Sequence, residues 1–147
     1  MPALTDPIAN PNQTAIEARL ERAAEVLGDL TEPVMAEFYC RFPDARASFA
    51  HHSPHSPARL EAEMVGNTLY YVMTWFESPT EARIYFDTSV PHHRVALDVP
   101  PDWFRGMIEA LIDVIERAVP AQDSAEQGAW REVREALVGL VERNRFI

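Results

Sequence analysis

The amino-acid sequence predicts an all-α protein of six to eight helices of unequal length, and three observations carry that prediction. Twelve prolines in 147 residues cut the chain, because proline breaks helix interiors but suits first turns. They leave long proline-free spans at 12–32, 58–78, 102–119 and 121–147, with shorter ones at 34–42, 44–53, 80–90 and 92–99. Within the long spans apolar residues recur every three or four positions, the period of a buried helix face. No segment alternates with period two over a useful length; Ile84-Tyr85-Phe86 is the one strand-like triplet, between a helix start and a turn. The length points to one domain over residues 1–147, and 47% of residues from the apolar and aromatic set suffices for a core at this size.

Residues 1–12 are expected to be irregular. Thr14 and Glu17 form a capping box ahead of Ile16, Leu20, Ala23 and Leu27 on one face, and Gly28 is placed to end that helix. Thr31 is expected to cap the second helix, with Pro33 in its first turn and Val34, Met35, Phe38, Tyr39 and Phe42 inside. A loop runs from Ala50 to Pro57, and Ser56-Pro57 starts a helix reaching Trp75 or Phe76. Ser78-Pro79-Thr80-Glu81 opens another, with Pro91 either continuing it or starting a new short turn. Pro100-Pro101-Asp102 opens a helix that is apolar over much of its circumference, from Trp103 and Phe104 through Ile115, which predicts a central position. Ser124 with Gln127 is expected to cap the last helix, whose Trp130, Val133, Leu137, Leu140 and Val141 form one stripe.

Composition excludes several functions. All thirteen basic residues are arginine, against 23 acidic ones, for a net charge of −10. The absence of lysine removes Schiff-base chemistry and a phosphate-loop lysine. The acidic balance argues against nucleic acid and anionic membranes as partners, and no apolar run approaches a membrane span. The single cysteine, Cys40, precludes an internal disulfide and is expected to be a buried structural thiol. With no basic or strongly apolar stretch in the first residues, no secretory leader is expected, and a cytoplasmic location is the expectation. Acids such as Glu61, Glu63, Glu109, Asp113 and Glu116 follow solvent-face spacing, and no paired carboxylates or Ser/His/Asp order suggests a catalytic set.

The five histidines lie in two places: His51, His52 and His55 between Ala50 and Pro57, and His92-His93 after Pro91. Histidine is the commonest metal ligand, but a pair at a helix end can equally bond free carbonyls, and a histidine-rich corner can be plain solvated surface. Leu97, Val99, Pro101 and Phe104 follow His93 at plus four, six, eight and eleven. The string from His93 to Phe104 resembles the proximal-histidine segment of globins. Phe38 to Phe49, an aromatic helix end followed by Pro43 and a phenylalanine six residues on, is similar to a second globin segment. The order of a long helix, a short helix, the histidine and two long amphipathic helices agrees, over about residues 14–145.

The resemblance, to bacterial-type single-domain globins, implies a three-over-three helical sandwich. It implies haem b held non-covalently, with His93 as the iron ligand and Phe49 stacked on the ring. Leu97, Val99 and Phe104 would line the proximal side, and Met35, Met64, Val65 and Leu69 the distal side. Adjacent helical residues point about 100° apart, so His92 and His93 cannot both face one iron. Arg94 is the nearest arginine to the haem carboxylates in sequence. Residues 58–76 hold neither His nor Gln for the usual distal position, and two helical registers compete there: Ala58, Ala62, Val65, Leu69, Val72 and Phe76, or Leu60, Met64, Thr68, Tyr71 and Trp75. Tyr39 would be a distal donor only if its helix were shifted. For the loop histidines a solvated corner, a haem-carboxylate contact, an iron ligand and a separate metal site all stay open.

The function implied is reversible binding of a diatomic gas, O₂, NO or CO, and whether the protein is also an enzyme stays open. NO dioxygenation would need a separate reductase as partner, since the chain has no Gly-rich dinucleotide motif. The contrasting expectation is a haem-free globin-like sensor or interaction domain, with Phe38, Phe49, Tyr71, Trp75, Trp103 and Phe104 filling the slot.

Overall fold

A computed structural model describes residues 10–146. Among these residues are seven α-helices and no strand: α1 Pro11–Leu27, α2 Thr31–Arg41, α3 Ala45–His52, α4 Pro57–Thr74, α5 Pro79–Leu97, α6 Pro101–Ala118 and α7 Ser124–Glu142. The all-α class therefore stands. No helix among the described residues is long and apolar enough to cross a membrane. The expected irregular segment 1–12 falls mostly outside the described residues, except that Pro11 and Asn12 are already helical.

Three helix starts differ from expectation. The Asn10 side chain, not Thr14, caps α1 by accepting from the Asn12 N–H at 2.8 Å, with Pro11 in the first turn. At α2 Leu30, not Thr31, holds the N-cap position and no side chain caps the helix; the Asp29 carboxylate, just upstream, accepts from the Thr31 N–H at 2.8 Å. Asp123, not Ser124, caps α7 through the Glu126 N–H at 2.8 Å. Where an Asn or Asp stands just upstream of a Ser or Thr, its planar oxygen takes the free amide first. At α4 no such competitor exists, and Ser56 caps as expected, followed by Pro57 in the first turn.

α6 is the central helix. Met107, Ile108, Ala110, Leu111, Ile112, Val114 and Ile115 are all buried, and α6 packs on α1, α2, α4, α5 and α7. α7 buries the expected stripe, with Trp130, Val133, Leu137 and Val141 fully enclosed. Buried side chains from all seven helices join one apolar cluster. At Gly106 the α2 end comes so close that a Cβ would lie 2.1 Å from Phe42 Cε2, so only glycine admits the Phe42 ring.

Polar ties brace this packed half. The Arg19 guanidinium is buried, donates through Nε to the Val119 carbonyl at 2.8 Å, and lies 5.5 Å from the Trp130 ring centre. Arg22 pairs with Glu126. Arg41 and Arg134 both bond Asp113, at 2.7 and 2.5 Å. The Asp113 and Glu116 side chains thus anchor helices rather than face open solvent. Cys40 is exposed, not buried: Phe38 and Tyr39 take the inward positions of α2, and the next residue turns away.

The other half is arranged differently. α4 and α5 are joined by a tight turn and sealed to each other at that end by aromatic rings, with Tyr71 and Tyr85 stacked at 4.4 Å between centroids and Tyr71 edge-on to Phe86 at 5.6 Å. Beyond the turn they make no extensive helix–helix contact. α5 is one continuous helix of 19 residues, not a short helix broken at Pro91. The proline sits inside it at the cost of the one amide its ring lacks, and the helix ends on Asp98 in the left-handed region at φ 55°.

Candidate functional site

The gap between α4 and α5 is a cleft with an enclosed volume of about 120 Å³, smaller than the roughly 300–1,000 Å³ usual for cofactor sites. α4 contributes Leu60, Met64 and Thr68 to one wall; α5 contributes Tyr85, Phe86, His93 and Leu97 to the opposite one. Trp103, Phe104 and Met107 of α6 form the floor with Val99, and Phe38 with Ser48, Phe49 and His52 closes the α3 side. The lining is mostly aromatic and apolar, with few polar groups.

His93 is the polar centre of this wall. It stands just before the last turn of α5, half-buried, and its Nδ1 lies 2.8 Å from the Ser89 carbonyl. A carbonyl only accepts, so Nδ1 carries the hydrogen and Nε2 keeps its lone pair. Its ring meets Phe104 edge-on with centroids 5.0 Å apart. The main chain is pinned as well, because the Val99 N–H donates to the His93 carbonyl at 3.0 Å. Burial pushes the His93 imidazole below its ordinary value, and the neighbouring His92 and His52 act in the same direction, against the opposing pull of the Ser89 carbonyl. The neutral, Nε2-free imidazole is the form a metal needs.

The structure brings together five of the other sequence-derived site residues. Phe49, Leu97, Val99, Phe104 and Met64 all line the cleft with His93. Phe49 is held by edge contacts to Phe38 and Tyr39, at 6.2 and 5.7 Å between centroids. Met35, Val65 and Leu69 are not in the lining; Met35 and Val65 are buried in the apolar cluster and Leu69 packs against it. The two competing registers of α4 serve two neighbours. Val65 and Val72 go to the core, while Leu60, Met64 and Thr68 face the cleft and Ala58 and Ala62 are exposed.

Tyr39 does not enter the cleft. Its hydroxyl donates to Glu61 Oε2 at 2.7 Å beneath the Arg46 guanidinium, and burial beside that carboxylate keeps the phenol protonated. His92 and Arg94 are exposed and outside the lining. The expected loop from Ala50 begins later, because α3 stays helical through His52, two residues short of Pro54. His52 is thereby a wall residue, whereas His55 is exposed in the connection. Sequence reasoning missed Ser48, Tyr85, Phe86 and Met107. Only the second α4 register signalled Leu60 and Thr68.

A haem needs an apolar slot between helices and one fixed axial nitrogen. The lining and the His93 tautomer match the chemistry of both demands, and the cleft walls would have to part to admit a group of that size. No group of three or more metal-ligating side chains exists among the described residues, so any metal here would arrive within a cofactor or rely on few protein ligands. No family model matches the chain, and no curated protein or solved structure proved similar to it.

Proposed function

We propose that this protein is a globin-like haem protein that binds a diatomic gas. In this reading His93 Nε2 would hold the iron of haem b, and the residues of α4 and α5 with Phe49 would hold the ring. Haem supplies a coordination position for the gas; the chain supplies the slot, the axial nitrogen and the exclusion of water. The observation that carries the reading is the His93 imidazole, fixed by the Ser89 carbonyl with its lone pair free in a cleft of apolar plates.

The helix pairing is consistent with a three-over-three sandwich, with α1, α4 and α5 on one side and α2, α6 and α7 on the other. The pairs α1 with α7, α2 with α4, α4 with α6 and α5 with α7 would cross between the layers. What supports a cofactor over the haem-free alternative is the His93 imidazole on the cleft wall, since a slot filled only by rings would need no tethered nitrogen there. Of the rings that could have filled it, Phe38, Phe49, Trp103 and Phe104 line it, while Tyr71 and Trp75 are not in the lining.

Titration of the purified protein with hemin tests the reading. One-to-one saturable binding with a shifted Soret band is expected, together with a raised melting temperature, since a ligand of the folded state alone must stabilise it. His93→Ala should abolish the axial bond, and His92→Ala should retain it. Absence of saturable binding would defeat the haem reading and favour the interaction-domain alternative.

A further inference from the structure

α4 has three faces, and two of them are accounted for within the chain. Val65 and Val72 enter the core, while Leu60, Met64 and Thr68 line the cleft. The third face carries Arg59, Glu63, Gly66, Tyr70 and Met73, with Glu77 in the turn just past the helix end, and all six are exposed. Their spacing alternates between four and three residues, the period of a seam between two paired helices. Tyr70 and Met73 are large apolar side chains left 40% and 38% exposed on it.

Gly66 is the residue of this face that the chain's own packing does not explain. It stands in the middle of a helix, where only proline is a poorer choice. A Cβ placed there would meet nothing within 4 Å, so, unlike Gly106, it admits no ring of its own chain. Tyr70 stands one turn further along. Its hydroxyl already donates to Glu81 Oε1 at 2.8 Å, so its ring can be covered without stranding a polar group. At the two ends of the face, Arg59 and Glu77 take part in no ion pair among the described residues.

We propose that this face docks on the same face of a second copy of the chain, the two α4 helices running antiparallel about a two-fold axis at the level of Thr68. In that register Arg59 of one copy lies opposite Glu77 of the other, and Gly66 lies opposite Tyr70. Symmetry repeats each match. An arginine meets a carboxylate, and a ring meets the one position without a side chain. Glu63 falls opposite Met73, a match that adds little. A parallel pairing would instead set Arg59 against Arg59 and Glu63 against Glu63, which like-charge repulsion opposes. The face is complementary to itself, and that selects a copy of this chain as the occupant. One helix pair is a small interface, so the dimer should depend on concentration. None of the six residues lines the cleft, so the proposal stands apart from the haem reading.

The test is sedimentation equilibrium of the purified chain at physiological salt, which screens the repulsion between two acidic copies. A monomer–dimer equilibrium is expected with a dissociation constant below about 1 mM. Arg59→Glu and Glu77→Arg should each raise that constant at least about tenfold, because each sets like charges opposite one another. Combining the two should restore it, since opposite charges then meet again. Tyr70→Ala should weaken the dimer comparably. Gly66→Gln should produce two changes of opposite sign. The dimer should weaken, because the new side chain takes the place of the partner's ring. The melting temperature of dilute protein should rise, because glutamine is the better helix former and its Cβ meets no neighbour. Val26→Glu, on the exposed side of α1, should leave the equilibrium unchanged. Circular dichroism of each variant checks that the helices persist. A monomer at every concentration up to about 1 mM would overturn the proposal. So would a dimer that no α4 substitution weakens, which would place the interface elsewhere. A dimer that the combined charge reversal fails to restore would refute the antiparallel register, and the proposal with it.

Discussion

The half of the molecule built on α1, α6 and α7 is filled, whereas the half between α4 and α5 is walled and open. In the filled half Ile16, Ile112, Ile115, Trp130 and Leu137 have no exposed surface, and their branched side chains interdigitate. In the open half Leu60, Met64, Leu97, Trp103 and Phe104 are each partly exposed on the cleft. Both halves draw on apolar residues at helical spacing. The difference is what stands opposite: a third helix in one case, and a gap held by rings and a tethered histidine in the other. Hydrophobic period predicts burial against something, and does not say whether that partner is protein.

Two tryptophans make the sharpest contrast. Trp130→Ala would leave a cavity in a region with no freedom to collapse, and should cost about 3–5 kcal/mol. Trp103→Ala removes a ring that already faces a gap, so no new closed cavity forms and the loss should be less than half of that. Urea unfolding of the apoprotein measures both. Equal losses would mean that the cleft closes in solution and that Trp103 packs as tightly as Trp130.

The seam between the halves offers a second contrast. The α6 backbone at Gly106 touches the Phe42 ring so closely that an added Cβ would lie 2.1 Å from Cε2 and 2.8 Å from Cζ. Gly106→Ala should therefore destabilise by about 1–3 kcal/mol, the usual range for overpacking. In a Phe42→Ala background the methyl would enter vacated space, and most of that cost should disappear. The double-mutant cycle would then show coupling above about 0.5 kcal/mol. Additive losses would place the strain elsewhere than at Phe42.

Helix number, the central position of α6 and the α7 stripe were legible in the sequence because each follows from apolar period alone. A lone candidate capped as expected at Ser56 but not at Ser78, which holds the N-cap position of α5 while its side chain makes no capping hydrogen bond. Asn10, Asp29 and Asp123 were overlooked because a Ser or Thr capping pattern downstream matched equally well. Pro91 could be read as continuing a helix or as starting a new turn; it lies inside α5, and the helix runs through it to Leu97 despite the amide its ring lacks. For the site, Phe49, Leu97, Val99 and Phe104 came from a spaced motif, and all line the cleft. Met35, Val65 and Leu69 could not be separated from core residues, because a wall and a core have the same composition. His52 was visible as a histidine but not as a wall residue, since its place depends on α3 persisting to its last turn.

The smallest effect sets the two halves apart by pH. All five histidines belong to the open half, on α3, its connection and α5; α1, α6 and α7 carry none. Burial holds the His93 imidazole below its ordinary value of 6.5, so the folded state takes up this proton later than the unfolded chain does. Stability from this group is complete above pH 6.5 and is lost as the pH falls below it, because the unfolded state then binds more protons. The arginine-paired carboxylates of the filled half act in a separate window. Asp113 and Glu126 are held below their ordinary values of 3.8 and 4.5, so their contribution is present above those values and lost only in stronger acid. The apoprotein should therefore show a shallow fall in urea midpoint as the pH drops below 6.5, before the steeper carboxylate loss. His93→Gln should flatten the shallow part and leave the steep part in place. An unchanged slope in that variant would mean that the imidazole is solvated in the apoprotein and that the α5 wall does not enclose it.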